Sequence, residues 1–221
     1  MKLKFLFAII GVTALTAASF GQGFRGGGMM MGGATAGPGS ILRRDDVKAD
    51  LKLTDDQKAK LAELQDAIRP QFGDIFQTMR DDPAAMQKAM ATLIKKASED
   101  ALKVLTADQQ KRAKEIWIQL SGNGVVANPD IQKDLGIDDS QKAKIDELTK
   151  RQQTANQEVG AKLRSGDIAM EDAQGIFAKN TKVMNDEIEK VLTSAQKDKL
   201  KGMAGKTFVQ DPPPGGGGRS F

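Results

Sequence analysis

The sequence predicts an all-α protein: two tandem repeats, each a long helical hairpin followed by a short third helix, with no sheet. Three observations predict it. Four segments open a helix in nearly the same way: Leu53-Thr54-Asp55-Asp56-Gln57, Leu105-Thr106-Ala107-Asp108-Gln109, Ile137-Asp138-Asp139-Ser140-Gln141 and Leu192-Thr193-Ser194-Ala195-Gln196. They fall in two pairs. The stretch from Asp50 to Leu64 aligns with that from Asp134 to Leu148, down to a shared Gln-Lys-Ala-Lys at Gln57 and Gln141, as a duplicated unit requires. Between these starts apolar residues recur at spacings of three and four, the pattern of a one-faced helix. No period-two segment rich in β-branched residues interrupts them.

Residues 1–21 read as a signal peptide. Lys2 and Lys4 form its basic end, Leu6 to Ala18 its apolar core, and Ala17, Ala18, Ser19 and Gly21 offer cleavage points, best placed just before Gln22. The apolar run is too short to cross a bilayer, so the mature chain is expected in the periplasm or secreted, with no integral membrane span. Residues 22–40 are rich in Gly and Met, including Gly26-Gly27-Gly28-Met29-Met30-Met31. Such a composition cannot offset the entropy of ordering and predicts a disordered lead. The three thioethers suit Cu(I) chemically, but linker composition is the better account of them.

The first repeat spans residues 41–121. Leu61, Leu64, Ile68, Phe72, Ile75, Phe76 and Met79 mark a helix from Asp55 to Arg80, with a kink expected at Pro70 because its ring clashes with the preceding turn. Asp82-Pro83 restarts the chain as an N-cap with proline in the first helical position. Met86, Ala89, Met90, Leu93, Ala97 and Leu102 mark the second helix. Thr106 opens the third, with Ile116, Trp117 and Leu120. Residues 122–130, including Gly122-Asn123-Gly124 and Asn128-Pro129, read as a breaker-rich connector.

The second repeat, residues 131–208, follows the same plan. Ile145, Leu148, Ala155, Val159 and Leu163 mark its first helix, Ser165-Gly166-Asp167 a turn and cap, and Ile176, Phe177, Val183, Met184, Ile188 and Val191 its second. A third begins at Thr193. Gln152, Gln153, Asn156 and Gln157 make the first helix more polar than its counterpart, and predict that it is looser or more exposed. Residues 209–221, with Pro212-Pro213-Pro214 and four consecutive glycines, read as a disordered tail.

Each repeated start is a capping box. Thr54, Thr106, Asp138 and Thr193 accept from the amide three residues on, while Gln57, Gln109, Gln141 and Gln196 reach back to the cap amide. One such cap contributes about 1 kcal/mol. Leu53, Leu105, Ile137 and Leu192 precede the caps, but the positions a hydrophobic staple would use hold Lys58, Gln110, Lys142 and Lys197. These four apolar residues are therefore expected to insert between neighbouring helices. The charges fall largely into acid-first pairs four apart, such as Asp56/Lys60, Asp108/Arg112, Glu147/Arg151 and Asp186/Lys190, which support exposed helix faces.

Composition narrows the function. The 221 residues include no His and no Cys, which removes the commonest general base, the thiolate nucleophile and ordinary zinc or copper ligation. The fold must stand on helix packing without disulfides. No catalytic, metal or cofactor residues are assigned, and the chain is not expected to be an enzyme. Without Lys2 and Lys4 the basic excess is only about two charges, weak attraction for an anionic partner. Aromatic residues are 5% of the chain, with no Tyr and a single Trp, too few for a base-stacking nucleic-acid surface.

At Leu53-Thr54-x-x-Gln57, Leu105-Thr106-x-x-Gln109 and Leu192-Thr193-x-x-Gln196, with Ile137-Asp138-x-x-Gln141 as a diverged copy, the chain resembles the LTxxQ family of exported helical proteins, which includes Spy, CpxP and ZraP. The resemblance covers roughly residues 41–208. It implies a Spy-like fold and an ATP-independent envelope chaperone that holds unfolded or partly folded clients on an amphiphilic helical surface. A CpxP-like regulator docking on a sensor-kinase ectodomain is the alternative. A ZraP-like zinc role is opposed by the missing His and Cys. On the chaperone reading Phe72, Phe76, Met79, Met86, Met90, Phe177 and Met184 are the candidate client contacts, since Met and Phe adapt to varied partners. The named family members carry one motif pair and Spy-like proteins dimerise, so two pairs in one chain imply a monomeric pseudo-dimer, with a homodimer as the other possibility.

Overall fold

The computed structural model describes residues 36–78 and 81–210. Residues 1–21, which the sequence predicts to be a signal peptide, the Met29–Met31 run, Met79 and the tail from residue 211 lie outside the described residues. Within them the protein is all-helical, with no strand. A 3-10 segment (Pro38–Arg43) leads into a short α1 (Asp45–Asp50). Long α2 (Asp55–Thr78) and α3 (Pro83–Lys103) follow, then short α4 (Ala107–Ser121). The same order then recurs. A second 3-10 segment (Gly122–Ala127) precedes short α5 (Pro129–Leu135), long α6 (Asp139–Ser165) and α7 (Met170–Val191), and short α8 (Ser194–Met203).

Each half thus opens with two elements that the sequence reading lacked. The sequence places Pro38–Ser40 in a disordered lead and residues 122–130 in a connector. Both glycine-containing stretches are instead structural. Gly39 lies against the backbone of Ser98 in α3 so closely that a Cβ there would overlap the Ser98 carbonyl. In the second half Gly124 N donates to Asn185 Oδ1 (2.6 Å) and Asn123 Nδ2 donates to Asn185 O (3.2 Å), fixing that segment on α7. Each segment then delivers two apolar residues to the interior: Ile41 and Leu42 in one, Val125 and Val126 in the other.

The core gathers both halves into one cluster. Val47, Leu51 and Leu61 meet Ile116, Trp117, Val125, Ile131, Ile145, Ile188 and Leu200 there. Leu53, Leu105 and Leu192 are buried in it, and Ile137 is half-buried against it, so the residues preceding the caps pack between helices. Beyond Leu61 no described residue of α2 is buried, and its main partner is α3. The helix runs through Pro70 to Thr78. Asp82 caps α3 through bonds from the amides of Ala84 and Ala85.

The α6–α7 hairpin is more extensively packed than α2–α3, contrary to the expectation from its polar run. Val159 and Ala173 are buried in its seam, and Asn180 Nδ2 donates to Asn156 Oδ1 across it at 2.9 Å. A paired amide and a small alanine let the two helices approach where the composition alone suggests looseness. Gly166, in the left-handed conformation, ends α6, but α7 starts at Met170 with Ala169 as an N-cap that offers no side-chain bond. Asp167 instead accepts from Ser165 Oγ.

Candidate functional site

All four capping boxes form. Thr54 N donates to Gln57 Oε1 (3.1 Å) and Gln57 N to Thr54 Oγ1 (3.2 Å). The same reciprocal bonds join Thr106 with Gln109, Asp138 with Gln141 and Thr193 with Gln196. The glutamines do more than cap. Gln57 Nε2 donates to Gln109 Oε1 at 2.7 Å, and Gln109 Nε2 returns a bond to Gln57 Oε1 at 3.1 Å. Gln57 Nε2 also reaches the carbonyl of Val104, and Gln109 Nε2 that of Leu51. In the second half Gln141 and Gln196 pair in the same way, at 2.7 and 2.9 Å, and take up the carbonyls of Val191 and Gly136.

The chemistry of this arrangement is that of two amide clasps. Every helix end leaves carbonyls without intrahelical partners. Each glutamine satisfies one at the end of the helix preceding the other motif, while its own oxygen serves the local cap and the facing amide. One clasp therefore joins the ends of α1 and α3 to the starts of α2 and α4. The other joins the ends of α5 and α7 to the starts of α6 and α8. The motif holds the base of each hairpin together.

Above these bases the hairpins present mixed faces. Of the candidate client contacts, Phe76 is 50% exposed, while Phe72, Met86 and Phe177 are half-buried. Met90 and Met184 are buried, Met184 within the central core cluster, and are not available to a client. Met79 lies outside the described residues. The structure adds Met170, Ile176 and Val183 as exposed apolar side chains of α7. Ile176 and Val183 were visible in the sequence as part of the α7 stripe. Their exposure follows from their lying one step to the side of the Ala173–Phe177–Asn180–Met184 seam, a distinction only the register of α6 against α7 reveals.

Arg112 departs from its expected pairing with Asp108. It makes a two-pronged ion pair with Asp50 at the end of α1 (2.7 and 3.0 Å), and Nη1 reaches Glu115 Oε2 and the carbonyl of Lys206. The hydrogen bond from Arg112 holds the Asp50 carboxyl below its ordinary value, against a smaller opposing effect of burial. On the α3 surface Lys103 and Lys96 hold Asp100 down to about 2.

Among the described residues no group of three or more acidic side chains is placed to hold a metal ion. No helix among them is long and apolar enough to cross a membrane. Comparison with protein-family models, with curated proteins and with solved structures finds no match for this chain.

Proposed function

We propose that this protein is an exported, ATP-independent chaperone of Spy-like character that holds unfolded or partly folded proteins against the sides of its two hairpins. The observation that carries the reading is the exposure of Ile176 and Val183 on one face of α7, with Met170 exposed in its first turn and Phe76 exposed on α2. These side chains stand among lysines and acids on the exposed sides of the long helices. Weak apolar contacts within a charged surroundings suit varied clients, since specificity for one partner calls for a fitted and exclusive surface. We further propose that the two LTxxQ units act as the two halves of a Spy-like assembly within one chain.

The test is suppression of client aggregation without nucleotide. The protein is expected to suppress it at near-stoichiometric ratio, and a variant carrying Phe76→Ser, Ile176→Ser and Val183→Ser is expected to lose most of that effect while keeping its helical circular dichroism. No suppression by the unaltered protein at any salt concentration removes the reading. Capture of one saturable partner, a sensor-kinase ectodomain, would replace it with the regulatory alternative. Small-angle scattering is expected to give the mass of one chain; an obligate dimer would overturn the self-sufficient arrangement.

A further inference from the structure

We propose that the face made by α4, the end of α1 and Arg44, the residue just before α1, is a binding site for extended polypeptide, filled here by the chain's own residues 204–210. After α8 the chain turns at Gly205, whose φ is 60°, and runs without helix or strand. Gln119 addresses only its backbone. Nε2 donates to the carbonyls of Ala204 (2.6 Å) and Lys206 (2.8 Å), and Oε1 accepts the amide of Phe208 (2.8 Å). Arg112 Nη1 adds a bond to the Lys206 carbonyl at 2.6 Å.

Phe208 is the large side chain taken inside. It is 7% exposed and joins the core cluster, with the Arg44 guanidinium 6.0 Å from its ring centre. Lys206 and Thr207 are exposed, and Val209 is 81% exposed. Main-chain bonds supply affinity and a pocket for one side chain supplies selectivity, which is how extended peptides are recognised elsewhere. The guanidinium over the ring adds a preference for an aromatic. Apart from one long bond from Arg44 Nη2 to Gln210 Oε1 (3.4 Å), the hydrogen bonds to the segment fall on its main chain, so the ligand class is an extended, unfolded segment carrying one aromatic residue. The chain's own segment is a tethered occupant at high effective concentration, and an outside segment must displace it. This site is separate from the hairpin faces and does not rest on their reading.

The experiment is fluorescence anisotropy with a labelled peptide of residues 203–210, titrated with the full chain. Phe208→Ala empties the pocket. Gly205→Ala loosens the segment by another route, because a φ of 60° is strained for alanine and its Cβ would push Glu115 off its bond with Arg112. Each variant is expected to bind the peptide at least about tenfold more tightly than the unaltered chain, since a self-occupied site lowers apparent affinity. A peptide carrying Phe208→Ala is expected to lose that binding, as is the Phe208→Ala chain when Gln119→Ala is added. In the unaltered chain, excess peptide is expected to speed hydrogen exchange at the Phe208 amide, a readout that needs no variant. Unchanged exchange at saturating peptide, or binding indifferent to the aromatic and to Gln119, overturns the proposal. Dimerisation of the Phe208→Ala chain without peptide affinity also overturns it, making the face a contact between copies. Phe76→Ser and Val183→Ser are expected to leave peptide binding unchanged, so failure of this site and failure of the chaperone reading are told apart.

Discussion

At the scale of the residue, each motif glutamine serves three partners, and its removal reaches beyond one helix. Gln141→Ala and Gln196→Ala are each expected to cost about 2 kcal/mol, since several bonds are lost and a partly buried partner is left unpaired. Thr193→Ala, which removes only the cap hydroxyl, is expected to cost about 1 kcal/mol. The double variant, measured by urea unfolding, is expected to cost less than the two singles added together, because the paired amides fail as one. Asp50 gives a pH-dependent counterpart. Its folded-state value lies below the ordinary 3.8, so the stability gained from Arg112 is full above 3.8 and fades as pH falls through the folded value. Asp50→Asn is therefore expected to lower stability near neutrality and to make little difference in strong acid. The capping role of the glutamines was legible because cap and glutamine stand three residues apart. Their mutual pairing was not, because the partners are 52 and 55 residues apart in the chain and nothing local brings them together.

At the scale of the element, the long helices were legible from their stripes, and the starts of α3, α4 and α6 from their caps. The opening segments were not, because Gly-x-Gly reads locally as a breaker. The available signal was repetition: Gly37-Pro38-Gly39 and Gly122-Asn123-Gly124 each stand ahead of buried apolar residues and a helix before a motif. Two glycines test the account in opposite directions. Gly39→Ala is expected to destabilise by about 3 kcal/mol, because its Cβ meets the backbone of α3 rather than a movable side chain. Gly73→Ala, with nothing near its added carbon, is expected to stabilise by about 0.5–1 kcal/mol through better helix propensity in α2. Thermal or urea unfolding of the two variants checks both signs. The hairpin seams show the limit of composition: apolar spacing identified Met90 and Met184, but only the facing helix decides which stripe residues are covered.

At the scale of the whole molecule, a single core sits where the motif ends meet, and the hairpins rely mainly on their own seams beyond it. Hydrogen exchange is expected to be slowest around Ile116–Ile118, Ile131, Ile145 and Ile188, and fastest in the last turns of α2 and α6 and the first turn of α3, which hold no buried side chain among those described. Uniform protection along α2 and α6 would contradict this division. The clasps themselves have a further consequence. An amide pair has no net charge for dissolved ions to screen, whereas the Arg112 tie among Asp50, Glu115 and the C-terminal segment is partly ionic. Concentrated electrolyte therefore acts unequally on the molecule, slackening the fastening of the segment around Lys206 while the roots of both hairpins stay shut.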